Sequence, residues 1–114
     1  MRKKSQNYLE FIPEKAEGLT YAVGENNIVT LEVENKGVFN RLFQLILKKP
    51  KISYIHLDDL GSFIWCHING NNSVFEIAEM VKKSYGDNAE PLYERIIKYF
   101  EILKNYKFIV FINE

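Results

Sequence analysis

Apolar and polar positions alternate near the start of the chain and predict an antiparallel hairpin. Residues 19–23 alternate large apolar side chains with smaller ones, which is the pattern of a half-buried strand. Residues 24–27, Gly-Glu-Asn-Asn, are typical of a turn, and residues 28–33 are rich in the β-branched side chains that favour strands. Because strands joined by a short turn pair antiparallel, we predict a hairpin over residues 19–33.

The spacing of the apolar residues changes after the hairpin. Between residues 38 and 49 they recur every three or four positions, which predicts an amphipathic helical segment that ends before Pro50. Such a segment either covers the sheet or a groove, or docks on a membrane surface or a partner, and the small number of flanking cations favours the covering role. Residues 52–57 predict a third short strand.

Three helices are predicted to follow the third strand. Asp58 can cap the first, and Ser73 with Glu76 has the spacing of a capping box for the second. The third spans residues 90–104, and residues 108–112 predict a short terminal strand or an extended tail. We therefore predict an α+β, winged-helix-like fold, in which a three-stranded antiparallel sheet is followed by a three-helix bundle.

Length and composition predict one domain without a disulfide or zinc framework. A chain of 114 residues, 46% of them hydrophobic, can form one core, which we assign to residues 19–114, preceded by an irregular or partly ordered N-terminal arm at 1–18. The single cysteine, Cys66, cannot form an internal disulfide, and this fits a reducing cytoplasm. Neither a secretory signal nor a membrane-spanning helix is predicted, because no apolar run reaches roughly 18 residues.

Charge and motif content argue against nucleic-acid binding and catalysis. The 15 basic residues balance the 15 acidic ones, whereas nucleic-acid binders gain affinity from a basic excess. His56, His67, Cys66, Asp58 and Asp59 are candidate metal ligands. Cys66 and His67 are adjacent, however, and adjacent residues point to different faces of a helix. Because no phosphate-binding loop or nucleophile–base signature is present either, we predict no metal, no cofactor and no enzymatic activity.

One stretch of the chain resembles a known family. Residues 56–65, His-Leu-Asp-Asp-Leu-Gly-Ser-Phe-Ile-Trp, resemble the start of the helical part of PqqD-like proteins, a family named for pyrroloquinoline quinone synthesis. Further motifs resemble the family in the same order: Ile-Asn-Gly at 68–70, Ser-Val-Phe-Glu-Ile at 73–77, Tyr-Gly at 85–86, and the third helix and tail from 91 to 109. The resemblance extends over residues 52–110, whereas the segment at 38–49 is longer than the family's connection between strands.

The resemblance implies a role in peptide recognition. Proteins of this family recognise the leader segment of a ribosomally synthesised precursor peptide and present it to a modifying enzyme, often a radical-SAM protein, without doing chemistry themselves. The leader adds a strand to the third strand, in a groove against the third helix. The peptide-binding residues implied for this chain are Ile52, Tyr54, Ile55, His56 and Leu57 on the strand, and Tyr93, Ile96, Ile97, Phe100 and Lys104 on the helix.

Periodicity alone favours a plainer role for the third helix. An apolar stripe at helical spacing is more often part of the core than the wall of a groove. The stripe can form core while its flanking residues Tyr93, Ile97 and Lys104 form the rim of a groove. By the same reasoning, Trp65 is either a packing anchor or a groove residue.

Two other functions are compatible with the predicted fold. In a winged-helix DNA-binding protein, residues 90–104 would be the recognition helix, but the cations Arg95, Lys98 and Lys104 are balanced there by three glutamates, whereas recognition helices are normally basic. In a structural or oligomer-forming adaptor, the unpaired edge of the third strand would pair with a second copy and form a homodimer.

Overall fold

Two antiparallel sheets and three α-helices make up the part of the chain that the structure describes. The structure is a computed structural model and describes residues 7–35 and 51–114. Its strands are β1 (Pro13–Lys15), β2 (Thr20–Val23), β3 (Val29–Asn35), β4 (Lys51–His56) and β5 (Ile109–Phe111). Its helices are α1 (Asp59–Cys66), α2 (Val74–Tyr85) and α3 (Leu92–Asn105), with short 3-10 helices at Tyr8–Glu10 and Gly86–Ala89. The amphipathic segment predicted at 38–49 lies outside the described residues.

The larger sheet confirms the predicted three strands. Its order is β2-β3-β4, and both pairs are antiparallel. In the hairpin turn, the Gly24 N–H donates to the Ile28 carbonyl at 2.9 Å. Asn27 adopts a φ of 66°, in the left-handed region that Asn tolerates better than most residues. With the three helices, this sheet gives the α+β fold expected from the sequence, while the winged-helix label stays a prediction.

The first two helices begin where their capping residues predict. The Asp58 carboxylate accepts a hydrogen bond from the Gly61 N–H at 2.7 Å and so caps α1. Ser73 Oγ accepts from the Glu76 N–H at 3.0 Å, and the Glu76 carboxylate accepts from the Ser73 N–H at 2.8 Å. These two bonds complete the predicted capping box of α2.

The core lies between the helix-facing side of the larger sheet and the helices. Val29 and Leu31 of β3 are fully buried, and all three helices contribute to the same cluster through Ile64, Trp65, Ile77, Ala78, Val81, Ile96, Phe100 and Leu103. The polar side chain of Ser62 on α1 is buried within this layer. Its Oγ accepts a hydrogen bond from the Val29 N–H at 2.8 Å. That bond joins α1 directly to the sheet.

The smaller sheet includes part of the arm predicted at 1–18, of which the structure describes residues 7–18. β5 is the predicted terminal strand, but it pairs antiparallel with β1, which was not predicted. Phe11 stacks on Phe111 with their ring centroids 5.0 Å apart, and Pro13 is fully buried. A three-residue strand offers too little alternation to be recognised locally, and its partner lies near the other end of the chain.

Candidate functional site

The outer edge of β4 has no partner strand among residues 7–35 and 51–114. On the inner edge, the Leu57 N–H donates to the Val29 carbonyl at 2.9 Å. In an antiparallel ladder, every second residue bonds to the same neighbour, and the residues between them direct their peptide groups to the other side. The N–H and C=O groups of Ile52, Tyr54 and His56 therefore point away from β3 and form an open backbone edge.

β4 exposes more large apolar side chains than an edge strand usually does. Tyr54 is 60% exposed, Ile52 47% and Ile55 37%. Tyr54 lies opposite Glu32 on the outer face, whereas Ile55 lies opposite the buried Leu31 and so on the helix-facing side. Proteins commonly protect edge strands with charges or proline, and clustered exposed apolar groups mark interaction surfaces. β4 is therefore suited to contact a partner.

A groove of about 540 Å³ lies between the end of β4 and α3. Its lining comes from three parts of the fold: His56, Leu57 and Asp58 at the end of β4, Leu60, Gly61 and Ile64 on α1, and Arg95, Ile96, Lys98, Tyr99 and Ile102 on α3. This volume lies within the range of natural ligand sites. Because His56 belongs to both features, the groove and the open edge of β4 form one continuous surface.

The floor of the groove depends on a close approach between α1 and α3. Tyr99 Oη donates a hydrogen bond to the Gly61 carbonyl at 2.9 Å. A Cβ atom on Gly61 would lie 2.9 Å from Asp58 Oδ1 and 3.0 Å from Tyr99 Oη, closer than side chains normally pack. Burial raises the pKa of the Tyr99 hydroxyl, and the nearby Asp58 carboxylate raises it further, so this hydroxyl is a stable donor.

Two cations line the α3 wall of the groove. Arg95 donates to the Asn88 carbonyl at 3.0 Å, which leaves other guanidinium donors available. Among the described residues, neither Arg95 nor Lys98 forms an ion pair; the salt bridge found there joins Lys104 to Glu114. The opposite wall carries one carboxylate, Asp58, which already accepts the capping bond of α1. The charged lining of the groove therefore has a positive excess.

The structure brings the predicted strand residues together. Ile52, Tyr54, Ile55 and His56 are exposed along β4, and Leu57 lines the groove with His56. Their order along one short edge strand follows directly from the alternation that predicted the strand.

The predicted helix residues are divided among different surroundings. Ile96 lines the groove but is 1% exposed, and Phe100 is fully buried in the core. Tyr93 Oη donates to Glu79 of α2 at 2.8 Å, and Lys104 pairs with Glu114. Ile97 is half-buried and does not line the groove.

The face of α3 toward β4 carries residues that the sequence did not assign to the site. These are Arg95, Lys98, Tyr99 and Ile102. An apolar helical stripe has two flanks, and periodicity does not say which one faces the sheet edge. In the sequence, the one feature that marks this flank is that Lys98 and Arg95 lie four and seven residues before Ile102.

Trp65 and the two histidines take part in packing and hydrogen bonding within the fold. Trp65 is fully buried, its ring centroid lies 5.6 Å from that of Tyr21, and it is a packing anchor. His56 Nδ1 lies 2.8 Å from Thr30 Oγ1, and His67 Nδ1 lies 2.8 Å from the Phe63 carbonyl. Within the described ranges, no three His, Cys, Asp or Glu side chains are placed to hold a metal ion. None of the helices in those ranges is long and apolar enough to cross a membrane.

Comparison with known proteins gives one family. A family model described as Coenzyme PQQ synthesis protein D (PqqD) matches residues 44–109, more than half of the chain. The matched stretch includes β4 and all three described helices, and therefore both walls of the groove. No curated protein and no solved structure matches the chain significantly.

Proposed function

The chain belongs to the PqqD family, and from this premise we propose that it binds the leader segment of a precursor peptide as an added strand on β4. It then presents that peptide to a separate modifying enzyme, such as a radical-SAM protein, and catalyses no reaction itself. The observation that carries the proposal is the open edge of β4 beside a groove of ligand-binding size.

The register of β4 defines how such a strand would bind. Ile52, Tyr54 and His56 direct their peptide groups outward, so a peptide strand would bond to these three residues. Side chains alternate between the two faces of a strand. Every second peptide side chain would therefore contact the outer face, near Ile52 and Tyr54, and the others would point into the groove toward α3.

Main-chain bonds supply affinity in this arrangement, and the groove supplies selectivity. Each peptide hydrogen bond contributes about 0.5–1.5 kcal/mol net, and an unpaired buried partner costs about 1–3 kcal/mol. Loss of one backbone donor on the edge should therefore weaken binding about tenfold, equivalent to about 1.4 kcal/mol. Loss of an outward side chain that leaves the backbone intact should have a smaller effect.

Proline substitution tests the added strand directly. Tyr54→Pro removes an N–H that points away from β3, so the ladder with β3 keeps its bonds. Val23→Pro is the matched control, because Val23 also directs its N–H outward, but from the β2 edge. Leader segments of short peptides encoded beside the gene would be titrated calorimetrically into each variant. We expect about a tenfold loss for Tyr54→Pro, little change for Val23→Pro, and a smaller loss for Tyr54→Ala.

The outcomes separate the possible interpretations. Affinity lost in Val23→Pro and retained in Tyr54→Pro would place the peptide on β2 and refute the proposed edge. Absence of saturable binding by any of these peptides, at tens of micromolar protein, would refute peptide recognition. Because a second copy could pair along the same edge, sedimentation at the titration concentration would show whether a homodimer competes with the peptide.

Presentation to an enzyme needs a separate measurement. The modifying enzyme encoded nearby would be assayed on the full precursor peptide with and without the wild-type chain, and then with Tyr54→Pro. We expect the wild-type chain to accelerate modification and Tyr54→Pro to accelerate it less. Equal rates with and without the chain would refute a presenting role even if the peptide binds.

A further inference from the structure

Apolar and cationic side chains occupy different positions along the α3 wall of the groove. Ile102 is 42% exposed and is the exposed apolar side chain of this wall, since Ile96 is buried and Tyr99 is half-buried. Lys98 and Arg95 lie four and seven residues earlier on the same lining face. Glu94 and Glu101, the nearest acidic residues on α3, are not part of the lining. An incoming side chain therefore meets either an isoleucine or two cations without an ion-pair partner in the described part of the chain.

The spacing of these groups matches the side-chain repeat of a strand. A helix rises about 1.5 Å per residue, so Lys98 and Ile102 lie about 6 Å apart along the axis of α3. A strand places side chains of the same face about 6.6 Å apart, two residues along its length. Arg95 is about 10.5 Å from Ile102 along the axis, beyond Lys98, and its guanidinium donors other than the one that bonds to Asn88 remain available. A peptide strand that runs along α3 therefore places two successive inward-pointing side chains opposite Ile102 and the cations at the same time.

From this match we infer that the groove selects peptides in which an acidic side chain lies two residues from a large apolar one. The apolar side chain packs between Ile102 and Leu57, which both line the groove. The acidic side chain pairs with Lys98 and Arg95, and the planar guanidinium can hold a carboxylate through two parallel bonds. This inference rests on the proposed strand addition and specifies the peptide class that it recognises.

Selection from a random library tests the inference without a known leader. A display library of random twelve-residue peptides would be selected on the full chain, with Tyr54→Pro as the counter-selection. Enriched sequences should carry Asp or Glu two positions from Leu, Ile, Val or Phe. In one synthetic enriched peptide, replacing the acidic residue by Lys should weaken binding about tenfold at low salt, and less at 300 mM salt because screening shortens the range of charge interactions.

Charge reversal on α3 provides the reciprocal test. The double variant Arg95→Glu with Lys98→Glu should reverse the preference, so that the Lys peptide binds more tightly than the acidic one. The matched control reverses two exposed lysines at the end of α2, Lys82→Glu with Lys83→Glu, and changes the net charge equally. This control should keep the preference for the acidic peptide. Urea denaturation of both double variants would confirm that they fold.

Three outcomes are distinguishable. Acidic enrichment that reverses with the α3 variant and not with the α2 variant supports the inference. Peptides that bind in a Tyr54-dependent way with no charge preference, or with a preference that both double variants alter equally, overturn the inference and leave strand addition intact. Failure to enrich any peptide above the counter-selection overturns both.

Discussion

Alanine at position 61 should destabilise the protein although alanine is the better helix former. Gly61 lies in the first turn of α1, where Ala in place of Gly would ordinarily gain about 1 kcal/mol. Here the new Cβ would lie 2.9 Å from Asp58 Oδ1 and 3.0 Å from Tyr99 Oη. Displacing Asp58 loses the α1 cap, worth about 1 kcal/mol, and displacing Tyr99 breaks its bond to the Gly61 carbonyl, at about 1–3 kcal/mol. The net expectation is about 2 kcal/mol of lost stability.

Urea denaturation of a double-mutant cycle tests this balance. Tyr99→Phe alone should cost about 1 kcal/mol by removing the bond to Gly61. Combined with Gly61→Ala, it also removes the clashing oxygen, so the double variant should be about 1 kcal/mol more stable than the sum of the single changes predicts. Gly24→Ala is the matched control, because a Cβ there meets no atom closer than 3.5 Å. A Gly61→Ala variant as stable as the wild type, or additivity within about 0.3 kcal/mol, would refute the close-approach reasoning.

Two further predictions concern the core and the alkaline range. Ser62→Ala should lower the free energy of unfolding by about 1–3 kcal/mol, since the buried Val29 N–H loses its acceptor, and unchanged urea unfolding would contradict this. Burial, with smaller effects of the Glu101 and Glu114 carboxylates, raises the pKa of Tyr8 to about 12 from 10.0. The unfolded chain therefore releases the Tyr8 proton at a lower pH than the folded chain does. The contribution of the neutral Tyr8 hydroxyl to the free energy of unfolding is fully present below pH 10 and is lost as the pH rises toward 12. Tyr8→Phe should lose less stability than the wild type over that interval, and an equal loss in unfolding measurements at pH 9 and 11.5 would contradict the assignment.

Local signals made much of the fold predictable, and long-range packing determined the rest. The starts of α1 and α2 follow from Asp58 and Ser73, whose hydrogen bonds reach only a few residues along the chain. β1 could not be predicted in the same way, because its partner is β5 at the far end of the described chain. The strand half of the candidate site was predictable because alternation defines both faces of β4.

The helix half of the site was less accessible to sequence reasoning. The stripe on α3 was recognisable, and Phe100 is buried as a core residue should be. The flank of the stripe that lines the groove is the one on which Tyr99 bonds to Gly61 of α1, and no periodicity encodes that contact. From the sequence alone, Arg95 and Lys98 are candidate DNA-binding charges, whereas the structure places them on the α3 wall of the groove.

The proposed recognition surface and the folded core share few side chains, so the peptide preference can change without loss of the fold. Tyr54, Ile52 and Ile102 are exposed, so their replacement should change stability less than replacement of a core residue would. Arg95 and Lys98 are exposed as well, so the charge preference of the groove can be altered without repacking the core. The groove floor differs, because Gly61 and Tyr99 hold α1 against α3 at the place where a peptide would rest. Changes at the rim should therefore alter which peptide binds, whereas changes at the floor should reduce binding and stability together.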